Sequence, residues 1–254
     1  MSEQQARKYV DVMASDIRRI SEILVDRQLI NSLDPLAVAA AQCAARPYRP
    51  RGSTDFHWNY EIINLEFIDV SAECLRHSVP TNARKVFVRL SATVSGIYLP
   101  AFATDDPLIS LGINIVVSGK DDEDNDIICA WHLDKHIMKT GDNTPLFVHP
   151  LYHFQYGGHE LMGLNNGSHL LLDSPRLPHF PLDGILAIDF VLSNYYGEHW
   201  TNLKSEAEYQ KMIENAQKRL WRPYSLSIAS KWIRQDPSIS DWDYRDILPQ
   251  LVNN

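Results

Sequence analysis

Histidine and aspartate alternate with apolar residues between positions 131 and 158, in WHLDKHIMKTGDNTPLFVHPLYHFQYGG, and this stretch carries the chain's clearest chemistry. Imidazole nitrogens and carboxylate oxygens are ligands for Zn²⁺ and other divalent first-row ions. Read as a strand, 127–137 has a period of two that places His132, Asp134 and His136 on one face and Trp131, Leu133 and Lys135 on the other. Segment 147–156 behaves alike, with His149, His153 and Gln155 on one face and Pro150, Tyr152, Phe154 and Tyr156 opposite. Between them, the KTGDNTP-containing segment 138–145 suits a hairpin connection. An antiparallel pairing with His136 opposite His149 also sets His132 opposite His153. Directly opposed residues have Cβ atoms about 4.5 to 5.5 Å apart, so the four imidazoles and Asp134 would reach one ion. A slip of one residue would scatter the set.

That constellation points to a metal-dependent hydrolase acting on a phosphoester or acyl substrate. One divalent ion, Zn²⁺, Mn²⁺ or Fe²⁺, would be held by His132, Asp134, His136, His149 and His153, with a position left for water. The ion would lower the pKa of that water and polarise the substrate oxygen, with Asp134 as the catalytic carboxylate. Arg176, close after Asp173, is a candidate for a substrate anion as well as for a structural pair with Asp173. Eight of the ten histidines lie between 132 and 199, a concentration that composition alone does not require. The alternative is a non-catalytic protein-binding subunit of an intracellular assembly. It would use the N-terminal apolar stripe, in a homo-oligomer or against a protein partner, the aromatic C-terminal helices or a free sheet edge, and ask nothing of the histidines. A third reading uses an imidazole oriented by Asp134 as a general acid-base without metal.

The elements that must position these residues read as an α+β fold: an antiparallel sheet of about five or six strands flanked by an N-terminal helix and C-terminal helices. We read 1–254 as a single domain, with an N-terminal helical segment over 1–50, a sheet core over 57–175 and a C-terminal helical segment over 181–254. The first helix starts after Ser2 and carries Val10, Met13, Ile17, Ile20 and Leu24 at spacings of three and four. Asp34 before Pro35 marks a second helix start, and 46–52 is an arginine-bearing linker. Strand alternation follows in Val86, Val88, Leu90 and Val94, and again in Ile109, Leu111, Ile113, Ile115 and Val117. The acidic run SGKDDEDND at 118–126 lacks the spacing of a helix-loop-helix calcium site and reads as a hairpin tip. Leu170, Leu171 and Leu172 suggest a further strand.

Segment 182–196, LDGILAIDFVLSNYY, reads as a buried helix in which Asp189 needs a hydrogen-bond partner. Ser205 and Glu208 have capping-box spacing. Two helices follow, the first ending at Pro223, and their Lys211, Lys218, Arg219, Arg222, Lys231 and Arg234 read as a solvated face.

Composition excludes several classes. The net charge of -8 opposes nonspecific attraction to nucleic-acid phosphates. No apolar run has the length of a membrane span, and the charged start MSEQQARKYV does not resemble a secretory signal. Cys43, Cys74 and Cys129 are odd in number and far apart, which fits neither a disulfide framework nor a thiolate zinc site. The expected compartment is the reducing cytoplasm.

Overall fold

A computed structural model describes residues 2–45, 47–70, 74–76, 82–100, 103, 105–135, 151–157, 161–162 and 177–233. Its elements in chain order are α1 (Glu3–Asp26), α2 (Asp34–Cys43), β1 (His57–Asp69), β2 (Arg84–Ile97), β3 (Leu108–Lys120), β4 (Asp126–Lys135), β5 (Tyr152–Tyr156), β6 (Leu177–Pro178), α3 (Gly184–Tyr195), α4 (Gly197–Leu203) and α5 (Ala207–Ile233). The strands form one antiparallel sheet in sequence order, each paired with the next. The α+β architecture, with the N-terminal helix first and the C-terminal helices last, is the one the sequence pattern implies.

Alternation in β1 to β5 gives the sheet two unlike faces. Trp58, Tyr60, Ile62, Val88, Leu90, Val94, Leu111, Ile113, Ile115, Leu133 and Tyr152 point to one side and form a single core with the helices. Helix α1 begins with a capping box, in which the Ser2 hydroxyl accepts from Gln5 N–H while the Gln5 side chain accepts from Ser2 N–H. Its stripe of Val10, Met13, Ile17, Ile20 and Leu24 is buried in this core, each fully buried aliphatic side chain contributing roughly 1.5 to 3 kcal/mol. The stripe, one of the surfaces the partner reading offered, is therefore covered by the protein itself. Helix α2 packs on α1 and β1, and α3 on β2 and α5. No helix among the described residues is long and apolar enough to cross a membrane.

Several local expectations change. Ile109 is exposed although it shares the parity of Leu111 and Ile113, because the β2–β3 register shifts between Ser95 and Gly96 and moves Leu108 into the core instead. Gly96 is needed there, since a Cβ would lie 2.4 Å from Cζ2 of Trp58. Ser205 and Glu208 form no capping box: the Ser205 hydroxyl donates to the Asn202 carbonyl, and Glu208 pairs with Arg19 of α1. Asp34 makes no side-chain cap to α2 but is its first residue, after Leu33 at the N-cap, and Pro35 follows within the first turn. Pro223 does not end a helix but lies inside α5. Segment 182–196 is helical as expected, with Asp183 as the N-cap of α3. Asp121 organises the acidic hairpin tip by accepting from the N–H groups of Glu123 and Asn125. Leu170 to Leu172 lie outside the described residues.

Candidate metal centre

The face of the sheet turned away from the helical core carries the candidate site. Strand β4 is central there, hydrogen-bonded to β3 on one side and β5 on the other. Its period of two sends Leu133 into the core and His132 and Asp134 to the opposite side, as the sequence pattern requires. His132 lies opposite Asn114 of β3 and Gln155 of β5; Asp134 lies opposite Gly112 and His153.

The expected register is corrected. His153 faces Asp134, not His132, which is a slip of two residues. On the core side this register sets Trp131 opposite Tyr156 and against Phe154, with ring centroids 4.9 and 5.3 Å away. Those aromatic contacts give a physical reason for the shift. Since two residues is a whole period, the slip leaves both histidines and Asp134 on one face. His132 and His153 become diagonal neighbours, their rings 6.2 Å apart and nearly perpendicular.

Within this group, one ligand atom from each of His132, Asp134 and His153 lies within 4.8 Å of the others. Donors around a tetrahedral ion with bonds of about 2.1 Å are about 3.4 Å apart, so side-chain rotations of the order of an ångström would close the three onto one ion. Two imidazoles and one carboxylate on one side of a metal leave positions for water or substrate. His136 and His149, the other expected ligands, and Arg176, the candidate anion site, lie outside the described residues.

The electrostatics suit a cation. His153 is 5% exposed, and the His132 side chain 17%. Val116, Ala130 and Leu161 form a small apolar cluster on the same face of the sheet, with Ile128 packed against it. Burial raises the Asp134 carboxyl above its ordinary value, with His132 opposing that rise. The Asp134 Oδ2 to His132 Nε2 distance is 3.6 Å, too long for a hydrogen bond. Asp134 thus does not orient His132 as an acid-base pair requires, and the metal-free reading loses its geometric basis. Lys135, next along β4, points the other way and pairs with Asp106 at 2.9 Å.

Sequence reasoning missed Asn114, which flanks His132 as the polar position between Ile113 and Ile115 of β3. Its parity was the available signal. Gly112 also escaped notice: a Cβ there would lie 3.6 Å from Asp134 Oδ1, so the glycine keeps that side of the carboxylate open. The cysteines supply no thiolate centre. Burial pushes the Cys43 thiol up to about 12 and raises those of Cys74 and Cys129 as well. Asp189, a formal charge within an apolar helix, accepts hydrogen bonds from Trp200 Nε1 and the Tyr209 hydroxyl, both at 2.8 Å. It has the structural role expected of it.

No protein-family model, curated protein or solved structure matches the chain.

Proposed function

We propose that this protein is a metal-dependent hydrolase whose His132, Asp134 and His153 hold one divalent ion, Zn²⁺, Mn²⁺ or Fe²⁺. The convergence of two imidazoles and a carboxylate across β4 and β5 carries the reading. The carboxylate supports it further, because a raised Asp134 gains most from a cation that stabilises its charged form. Bound there, the ion would supply an activated water and polarise a phosphoryl or acyl oxygen. Asn114 and Gln155, opposite His132 on the two neighbouring strands, are placed to steady the imidazole or the water.

Metal analysis of the untagged full chain tests this first. About one equivalent of metal is expected, absent from a His132→Ala, His153→Ala double variant with unchanged circular dichroism. Hydrolysis of p-nitrophenyl phosphate and p-nitrophenyl acetate, with and without chelator, then tests the reaction. A chain that carries no metal and takes up none of the three ions would overturn the site. Metal binding without chelator-sensitive hydrolysis of either substrate would overturn the hydrolase reading.

A further inference from the structure

The core side of β4 and β5, across the sheet from the candidate metal centre, carries a polar cluster that the proposed chemistry does not use. Lys135 follows Asp134 on β4, Tyr152 precedes His153 on β5, and the two are cross-strand partners beside the Asp134–His153 pair. Neighbouring strand residues face opposite sides, so both point away from the histidines. Asp106, on the connection from β2 to β3, holds them together. Its Oδ1 accepts from the Tyr152 hydroxyl at 2.6 Å, and its Oδ2 forms an ion pair with Lys135 Nζ at 2.9 Å. The carboxylate is itself fixed to the start of β3: Oδ1 also accepts from Leu108 N–H at 3.0 Å, and Lys135 donates to the Leu108 carbonyl. One side chain thus ties three strands. Only 13% of the Lys135 side chain and 22% of that of Asp106 are exposed, so salt and water weaken the pair little.

The position of this cluster in the ladder gives it a role beyond burial. Residues 136–151 join β4 to β5, far more than the loops of about two to five residues whose turn type sets a hairpin's pairing. Lys135 and Tyr152 are therefore the last pair of a ladder that no tight turn closes, and such ends open first. On its other side β5 is paired, among the described residues, with the two-residue β6. Trp131, packed on Phe154 and Tyr156, secures the opposite end of the ladder. The Asp134–His153 pair lies next to the end that Asp106 holds. Metal–ligand distances hold to within about 0.2 Å, so loosening that pair loosens the ion.

We propose that Asp106 is a positioning residue of the metal centre, keeping Asp134 and His153 opposed from the far side of the sheet through Lys135 and Tyr152. Resting on the metal reading above, this role involves no contact of Asp106 with ion or substrate.

The test titrates the full chain with Co²⁺, a visibly absorbing stand-in for Zn²⁺, and records cross-strand backbone NOEs in the metal-free protein. Asp106→Ala should weaken Co²⁺ binding about tenfold or more, as removal of a group supporting a metal ligand commonly does. Asp106→Asn, which keeps an acceptor for Tyr152, should restore part of the affinity, and Tyr152→Phe should lose less than Asp106→Ala. In metal-free Asp106→Ala the NOEs between Asp134 and His153 should fade while those between Trp131 and Tyr156 persist. Tyr209→Phe, which removes a buried hydrogen bond elsewhere, should leave Co²⁺ affinity and both sets of NOEs unchanged. If Asp106→Ala does not fold, Asp106→Asn and Tyr152→Phe carry the same two measurements, each with a smaller loss expected. Unchanged Co²⁺ affinity in the folded variants, NOEs between Asp134 and His153 that persist in them, or equal weakening in Tyr209→Phe would each overturn the role and leave the metal centre standing. A wild-type chain that takes up no Co²⁺ would overturn the centre and this role together.

Discussion

Two buried or half-buried carboxylate groups lie on opposite faces of one sheet and solve the same electrostatic problem differently. On the helical side, Asp16 and Asp183 share the guanidinium of Arg219, and Asn215 adds hydrogen bonds to Asp16. On the other side, Asp134 has neutral-capable imidazoles near it and, among the described residues, no lysine or arginine in ion-pair contact. The first group carries its cation in the fold; the second, in the proposed reading, would take one from solution. Asp16 and Asp183 are buried and depend on Arg219, whereas the Asp134 side chain is 43% exposed and shares its charge with water, so the contrast separates a structural ion cluster from an open, ligand-bearing group. Asp189 shows a third solution, with two neutral donors and no cation.

Removing the built-in cation should produce the largest effect. Arg219→Met leaves Asp16 and Asp183 facing each other across an apolar side chain, and losing one partner of a buried ion pair costs about 3 to 5 kcal/mol. Urea denaturation of the variant should show that loss. Adding Asp16→Asn should recover part of it, because one stranded charge is removed. A loss below about 1 kcal/mol would mean that solvent reaches the cluster, and the contrast with Asp134 would collapse.

The second effect is gained from outside. A metal at one hundred times its Kd should stabilise the wild-type chain by about 2.7 kcal/mol, and chelator should abolish the gain. His153→Ala should abolish it too. In metal-free protein Asp134→Asn should shift stability by no more than about 0.5 kcal/mol, since Asp134 has no ion pair to lose beyond the distant His132. Equal gains from metal in wild type and His153→Ala, read from thermal midpoints, would place the ion elsewhere.

How far each group was legible follows from the reach of its contacts. The face shared by His132, Asp134 and His153 was readable because strand parity is a local property, while the register was not. It rests on Trp131 packing against Phe154 and Tyr156 across the sheet, a contact that alternation alone does not specify. The stripe of α1 was legible from its spacing, and its covering by α2, α3 and α5 required the tertiary fold. Arg219 was misread as part of a solvated face. Its position was a usable signal, since it follows Met212 by seven residues and Ala216 by three, on the apolar stripe of α5. Asp16 likewise lies three residues from Met13 and four from Ile20 on α1. Their pairing across 203 positions was beyond any local pattern.

Between these extremes, Tyr209→Phe removes one of the two donors to Asp189 and leaves Trp200 as the other. A hydrogen bond to a charged acceptor contributes about 1.5 to 3 kcal/mol, and the remaining donor should hold the loss near the lower end. Chemical denaturation measures it. A loss as large as that of Arg219→Met would show that neutral donors and a guanidinium are equivalent partners here, which would remove the distinction drawn between these arrangements.

The smallest effect should come from Glu214, where the cations are also part of the chain but water surrounds them. Lys218 and Lys211 hold its carboxyl down, from an ordinary value of 4.5 to about 2. Because the folded value is the lower one, the pair stabilises the native state above about pH 5, and that contribution fades as pH falls from there toward 2. The difference between wild type and Glu214→Gln in urea midpoint should therefore be flat from pH 7 to about 5.5 and shrink below it. It should also shrink at 1 M salt, where the screening length is about 3 Å. Exposure is what sets this pair apart from the Arg219 cluster, since both contain opposite charges in contact. If Glu214→Gln destabilised the protein as much as Arg219→Met, or if the difference grew as pH fell, burial would not be the variable that separates them.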